Sequence, residues 1–408
     1  DDQLFGSPAS QEHADIAIQW ALDQFNVDED RIYMAGFSMG AGVVANYAAR
    51  HRHPNGIMIA GLGMVAGSWD RTQTYNLGSP LLQAIMENFY NFDGSPLDEP
   101  FNYRQASCLY FSEASYPPEP GTLVMRECMG INLAGLPIYM TRDPLDTTGE
   151  ATTQGPVMAS YLTSIGATVS ENLVELPGPV HHSWEVLDEV DFFDYVDGAT
   201  VDRFPADFTA RLDRSGRVSY LDVRLLDTTD FANVIATADD VAGTLTLSGV
   251  DNTSALSVNM GQAGLGAHPA PRITATSIQA NGYELRLGGF DVKPSYLVDA
   301  VTGDYVAGVD SDPLSGRLFV DVPGNGSIDV VVVFDPYWTA NLWTTPQPAQ
   351  VGGSIQLDID ADSDSVAALV VVAAAEELVD LFFVTTFAAS FNPPSIVFVV
   401  PLNGTGDI

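Results

Sequence analysis

Basic residues are scarce in this chain. Lys and Arg together number 16 against 53 Asp and Glu over 408 residues, a net charge of −37, and Lys293 is the only lysine. Such a surface repels phosphate backbones and anionic bilayers, which argues against nucleic-acid and membrane-surface roles. It suits salty surroundings, where screening relieves the self-repulsion. Long apolar runs are also lacking: "SVAALVVVAAAEELVDLFFV" is broken by charge and "SIDVVVVF" is short, so no transmembrane helix is expected. Zinc-ligand spacings, a Walker motif and a dinucleotide fingerprint are missing, and neither a metal nor a cofactor is expected. The alternating aspartates of "DIDADSDS" (Asp358, Asp360, Asp362, Asp364) lack the glycine and distal glutamate of a calcium loop and read as a solvated strand and turn. Only two cysteines occur. Cys108 and Cys128 either form one disulfide or lie apart as buried thiols, and the sequence leaves both readings open.

Hydrophobic residues make up 46% of the chain, enough to build real cores. The first half alternates helix and strand patterns. "SQEHADIAIQWALDQFN" has one broad apolar face, with Ser10 as a candidate N-cap. "RIYMAGFSMGAGVVANYAARH" reads as strand, tight turn and helix, and "NGIMIAGLGMV", "LPIYM" and "TVSENLVEL" as further strands. "TTQGPVMASYLTSIGA" and "HHSWEVLDEVDFFDYV" read as helices. This alternation predicts an α/β layered domain with a mainly parallel sheet over residues 1–196. Residues 67–134, rich in Pro, Tyr, Phe and Asn, are expected to form a lid or insertion, either lining a pocket or packing as an aromatic mini-core. From about residue 197 short alternating strands and turn residues predict an all-β sandwich to residue 336, and 337–408 a second β domain.

The chemistry concentrates at Gly36-Phe37-Ser38-Met39-Gly40, a G-x-S-x-G between strand and helix. Such a turn lifts a serine above the sheet in a strained conformation, with the flanking glycines, Gly36 and Gly40, avoiding collision with strand and helix. It also aims the Met39 N–H, at the positive end of the helix, at a developing oxyanion. A nucleophilic Ser38 needs a base and an orienting acid. His51 and His53 follow the helix after the elbow and read as C-terminal caps, while His268 lies in a later loop. That leaves His181 and His182 in "GPVHHSW", and Asp143 and Asp146 in "LPIYMTRDPLD".

"VDEDRIYMAGFSMGAG" resembles the elbow region of α/β-hydrolases of the esterase, polyhydroxybutyrate-depolymerase and prolyl-oligopeptidase-like kind. "LPIYMTRDPLD" is similar to that family's "PVLLIHGTAD", and "VHHSW" to its "GHSW". The resemblance implies Asp146 as acid and His182 as base, with Asp143 and His181 each standing where the family has glycine. It covers roughly residues 5–195 and implies a serine esterase working through an acyl-enzyme on a small or polymeric ester. A prolyl-oligopeptidase-type peptidase is one alternative; a non-catalytic surface or polymer-binding protein with a relic hydrolase domain is the other. The family's elbow follows its fifth strand, whereas here "DDQLFGSPAS" and one helix precede it. The expectation is therefore a partial α/β-hydrolase sheet without its first strands, half an oxyanion hole, and little activity in the chain as it stands. The β domains are expected to bind polymer or anchor the protein outside the cell or in its envelope.

Overall fold

The computed structural model describes residues 8–89, 92–110, 128–308 and 317–334, together with short strands at Leu342–Thr344, Ser354–Ile359, Ala367–Val371, Phe383–Phe387 and Ser395–Val399. Most of the aspartate run, Asp360 to Asp364, lies outside the described residues, as does the middle of the aromatic insertion, 111–127. The chain divides into two compact units, Asp1–Val333 and Phe334–Ile408. In the second, the strands Leu342–Thr344 and Ser395–Val399 flank Ser354–Ile359, and Ala367–Val371 pairs with Phe383–Phe387.

The first unit opens with α1 (Pro8–Gln24), β1 (Tyr33–Phe37), α2 (Met39–Arg50) and β2 (Gly61–Val65). Then come α3 (Arg71–Leu77), α4 (Pro80–Phe89), α5 (Pro100–Gln105), β3 (Pro137–Arg142), α6 (Gly149–Ser164), β4 (Thr168–Leu173) and α7 (Glu189–Val196). The four strands pair in chain order, all parallel, so that β1 and β4 are the outer strands of this sheet among the described residues. The register sets Phe37 beside Val65, Val65 beside Thr141 and Thr141 beside Asn172. All four strands therefore end on one row, and the loops that leave them share one rim of the sheet.

Helix α2 consists mostly of small residues because it lies within the core rather than on it. Ala41, Ala45, Tyr47, Ala48 and Ala49 are buried with Leu62 and Met64 of β2 and Ile138 and Met140 of β3. Two boundaries differ from the sequence reading. Ser10 lies inside α1, which starts at Pro8, a residue whose fixed φ suits the first helical position. The last helix starts only at Glu189, where the Asp188 side chain accepts from the N–H groups of Val190 and Asp191. Within the insertion, Met86, Phe92, Tyr103 and Ala106 bury one another, with Met39, Tyr75 and Leu82 packed against them. Among the described residues the insertion is thus an aromatic mini-core touching the start of α2.

After α7 the described elements of this unit are all β, beginning with β5 (Asp207–Leu212) and forming a seven-stranded and a five-stranded sheet. Alternate residues bury one face of each, as in Ala232, Val234 and Ala236 of one sheet and Tyr283, Leu285 and Leu287 of the other. The fold class is therefore α/β followed by all-β, as the patterning predicts. The β strands are joined to the α/β part through buried polar contacts. Arg50, the last residue of α2, pairs with Asp213 at 2.5 Å, their side chains 3% and 5% exposed. The Asn132 amide donates to the carbonyls of Ala49 (2.8 Å) and Arg211 (2.7 Å) and accepts from the Arg211 N–H. Phe231 is buried within the α/β core cluster, edge-on to Phe101.

Candidate active site

Ser38 occupies the turn between β1 and α2 with φ 53° and ψ −117°, a conformation that costs a non-glycine residue on the order of 1–3 kcal/mol. Backbone bonds hold it there: its N–H donates to Val65 O (2.8 Å), and its carbonyl accepts from Ala41 N–H (3.1 Å) and Ser68 N–H (3.3 Å). The Met39 N–H, first in α2, has no intrahelical acceptor and points out of the positive end of the helix. Gly36 is required by contact, since a Cβ there would strike the Gly40 carbonyl. Gly40 is not, because a Cβ there would project into open space with nothing within 4 Å. The collision expected at that second position is absent; the crowding lies at Gly42, whose missing side chain makes room for the buried Arg71 side chain and the Ser68 carbonyl.

The rim assembles three segments. His182 Nε2 lies 2.9 Å from Ser38 Oγ, and His182 Nδ1 lies 2.7 Å from Asp146 Oδ2. With the Nδ1 proton donated to the carboxylate, Nε2 is left as an acceptor facing the serine hydroxyl. Asp146 is buried. Its second oxygen accepts from the Thr148 N–H (2.8 Å) and the Thr148 hydroxyl (2.6 Å), and that hydroxyl oxygen stands 3.2 Å from His182 Nδ1. The Phe37 ring lies 4.7 Å from the imidazole, centroid to centroid.

Asp143 and His181 are not in this line. They pair with each other, His181 Nδ1 to Asp143 Oδ2 at 2.9 Å. Asp143 also accepts from Leu145 N–H (2.8 Å) and Leu176 N–H (2.8 Å). Burial pushes its carboxyl pKa up, but these two N–H groups and His181 outweigh that and hold it below the ordinary value. His51 is the C-cap of α2, its N–H bonded to Tyr47 O at 2.9 Å and its ring stacked on Tyr47. Burial pushes the His51 pKa down. The two cysteines are separate buried thiols, not a disulfide: Cys108 Sγ donates to Asn46 Oδ1 and Cys128 Sγ to the Cys108 carbonyl. Burial raises the pKa of both, which leaves them as neutral donors.

Sequence reasoning missed Thr148 and Gly42. Thr148 has a local signal, since a threonine two residues after an aspartate commonly closes an Asx turn and begins a helix. Gly42 has none, because its neighbour Arg71 arrives from the start of α3.

No protein-family model and no curated protein matches the sequence. Several solved structures resemble part of it. An alpha-beta hydrolase from Vibrio vulnificus is 16% identical, covers 40% of this chain and 48% of its own, and has a TM-score of 0.24. An esterase from Pyrobaculum calidifontis is 19% identical over 43% of this chain and 53% of its own, with a TM-score of 0.25. An acylaminoacyl peptidase from Pyrococcus horikoshii is 16% identical over 44% and 26%, with a TM-score of 0.29. The chain spans about half the length of the first two and a quarter of the third. These are partial likenesses, at identities too low to transfer a substrate.

Proposed function

We propose that the chain is a serine hydrolase that cleaves carboxylic esters through an acyl-enzyme. One observation carries the reading: an unbroken line from Ser38 Oγ to His182 (2.9 Å) to the buried Asp146 (2.7 Å), at the N-terminus of a buried helix. Nucleophile, base and orienting acid occupy the relation that acyl transfer requires. Ser38 Oγ attacks the carbonyl carbon while His182 Nε2 takes its proton, and Asp146 stabilises the imidazolium. The Met39 N–H receives the oxyanion. Collapse expels the alcohol, which takes the proton from His182. Water then attacks the acyl-enzyme by the same relay and frees Ser38. In this reading the substrate is a small or polymeric ester, and the β strands that follow the α/β part bind polymer or anchor the protein outside the cell or in its envelope.

The test is covalent labelling with a fluorophosphonate probe. Labelling is stoichiometric and needs no turnover, so it reads the nucleophile even where hydrolysis is slow. The chain should take up one probe, and Ser38→Ala should abolish uptake. Absence of labelling in the unaltered chain, with excess probe and prolonged incubation, overturns the proposal. A matched ester and amide panel separates esterase from peptidase activity.

A further inference from the structure

We propose that the His181–Asp143 pair is a clamp that positions His182, by tying the segment that carries His182 to the segment that carries Asp146. The inference rests on the hydrolase reading of Ser38 and concerns residues outside the relay itself. Asp143 and His181 each stand where the hydrolase pattern that the chain resembles has a glycine, so both side chains are additions to the relay. They lie 38 residues apart, yet their side chains meet at 2.9 Å.

What the pair joins gives the contact its meaning. Asp143 follows the last residue of β3, and its carbonyl accepts from the Asp146 N–H at 3.1 Å, which forms the turn that presents Asp146. Its buried carboxylate receives three donors: Leu145 from its own loop, Leu176 just beyond β4, and His181 next to His182. From Val174 to Ser183 the chain has no helix or strand. It passes through Pro177, Gly178 and Pro179 to an exposed Val180 before reaching the histidines. A histidine on such a loop needs a fixed point beside it, and the bond from its neighbour to a buried, ionised carboxylate supplies one. His181 is thus a positioning residue, and its ring is held by Asp143 rather than by Ser38.

The test compares the second-order rate of fluorophosphonate labelling across four forms of the full chain: unaltered, His181→Ala, Asp143→Asn, and the double variant. Loosening a base by about 1 Å can cost about 10²-fold, so the single variants should label roughly ten- to a hundredfold more slowly. Because the two residues act as a unit, the double variant should be no more than about threefold slower than the worse single variant. His181→Asn, which keeps a side-chain N–H toward Asp143, should recover part of the loss. Far-UV circular dichroism and the melting temperature show that each form is folded. A further readout is independent of Ser38 chemistry: the low-field proton resonance of His182 Nδ1–H, sharp in the unaltered chain, should broaden in His181→Ala. Unchanged labelling and an unchanged resonance in a folded His181→Ala overturn the clamp while leaving the hydrolase reading intact. Multiplicative losses in the double variant overturn it as well. No labelling of the unaltered chain instead defeats the hydrolase reading, and the resonance still decides whether the clamp exists.

Discussion

Replacing Asp213 by alanine should damage the α/β part of the molecule although Asp213 belongs to the β strands. The Arg50–Asp213 pair is close to fully buried, with side-chain exposures of 3% and 5% and a separation of 2.5 Å. Removing the carboxylate strands the guanidinium at the C-terminal end of α2, the helix that begins at Ser38. Of its nitrogens, Nη2 would keep the Gln105 carbonyl at 3.0 Å, Nε would lose its partner, and Nη1 has none among the described residues. Breaking a buried pair in this way costs about 3–5 kcal/mol, a large part of the roughly 5–15 kcal/mol that holds a typical domain folded. Arg104–Asp230 supplies the control. It also bridges the two parts, at 3.2 Å, but the Asp230 side chain is 53% exposed, and such a pair is worth about 0–1 kcal/mol. Urea unfolding followed by far-UV circular dichroism should show a large fall in midpoint for Asp213→Ala and almost none for Asp230→Ala. The double replacement Arg50→Met with Asp213→Leu should recover most of the loss, since apolar residues can substitute for a buried pair. Equal effects of Asp213→Ala and Asp230→Ala would refute the reasoning, because the two parts would then not depend on this contact.

Gly36→Ala should cost at least about 1–3 kcal/mol by overpacking and should slow Ser38 labelling, because its Cβ meets the Gly40 backbone. Gly40→Ala should be neutral or stabilise by up to about 1 kcal/mol with labelling retained, and thermal melts of the two variants check the contrast. Stability should fall as pH is lowered in two stages. Burial depresses the His51 pKa, so the unfolded chain takes up that proton first as pH drops through about 6.5, and stability declines until the folded value is passed. The Asp143 pKa is depressed too, so its contribution is complete above about pH 3.9 and is lost below it as the carboxylate protonates. Urea midpoints across this range should show the upper stage flattened in His51→Gln and the lower one reduced in Asp143→Asn. A His51→Gln midpoint that changes between neutral pH and about 5 by the same amount as the unaltered chain's would contradict the assignment for His51.

What was legible in the sequence is local. The elbow can be read from one continuous stretch, residues 31–51, because an apolar strand, a glycine-flanked serine and a small-residue helix constrain each other through neighbouring backbone bonds; the positive φ of Ser38 is the result. The switch from helix periodicity to alternation near residue 197 is local in the same sense, and the β strands that follow it begin at Asp207. The sequence also narrows the acid to Asp143 or Asp146 and the base to His181 or His182. It cannot pair them from chemistry alone, since both aspartates and both histidines sit on the same two loops. The resemblance favoured Asp146 and His182; the parallel register of β1 to β4 brings those loops to one rim, and the close packing there places His182 between Ser38 and Asp146 and leaves His181 to Asp143. Gly40, Gly42 and the cysteines show the same limit, because whether a side chain finds space or a partner depends on what arrives from elsewhere in the chain. Arg50 and Asp213 lie 163 residues apart, and no pattern near either one announces the other. Local propensity and periodicity determine the elements and the chemistry each can offer, whereas which groups meet is decided by tertiary packing, where desolvation makes a contact between distant residues either strong or prohibitive.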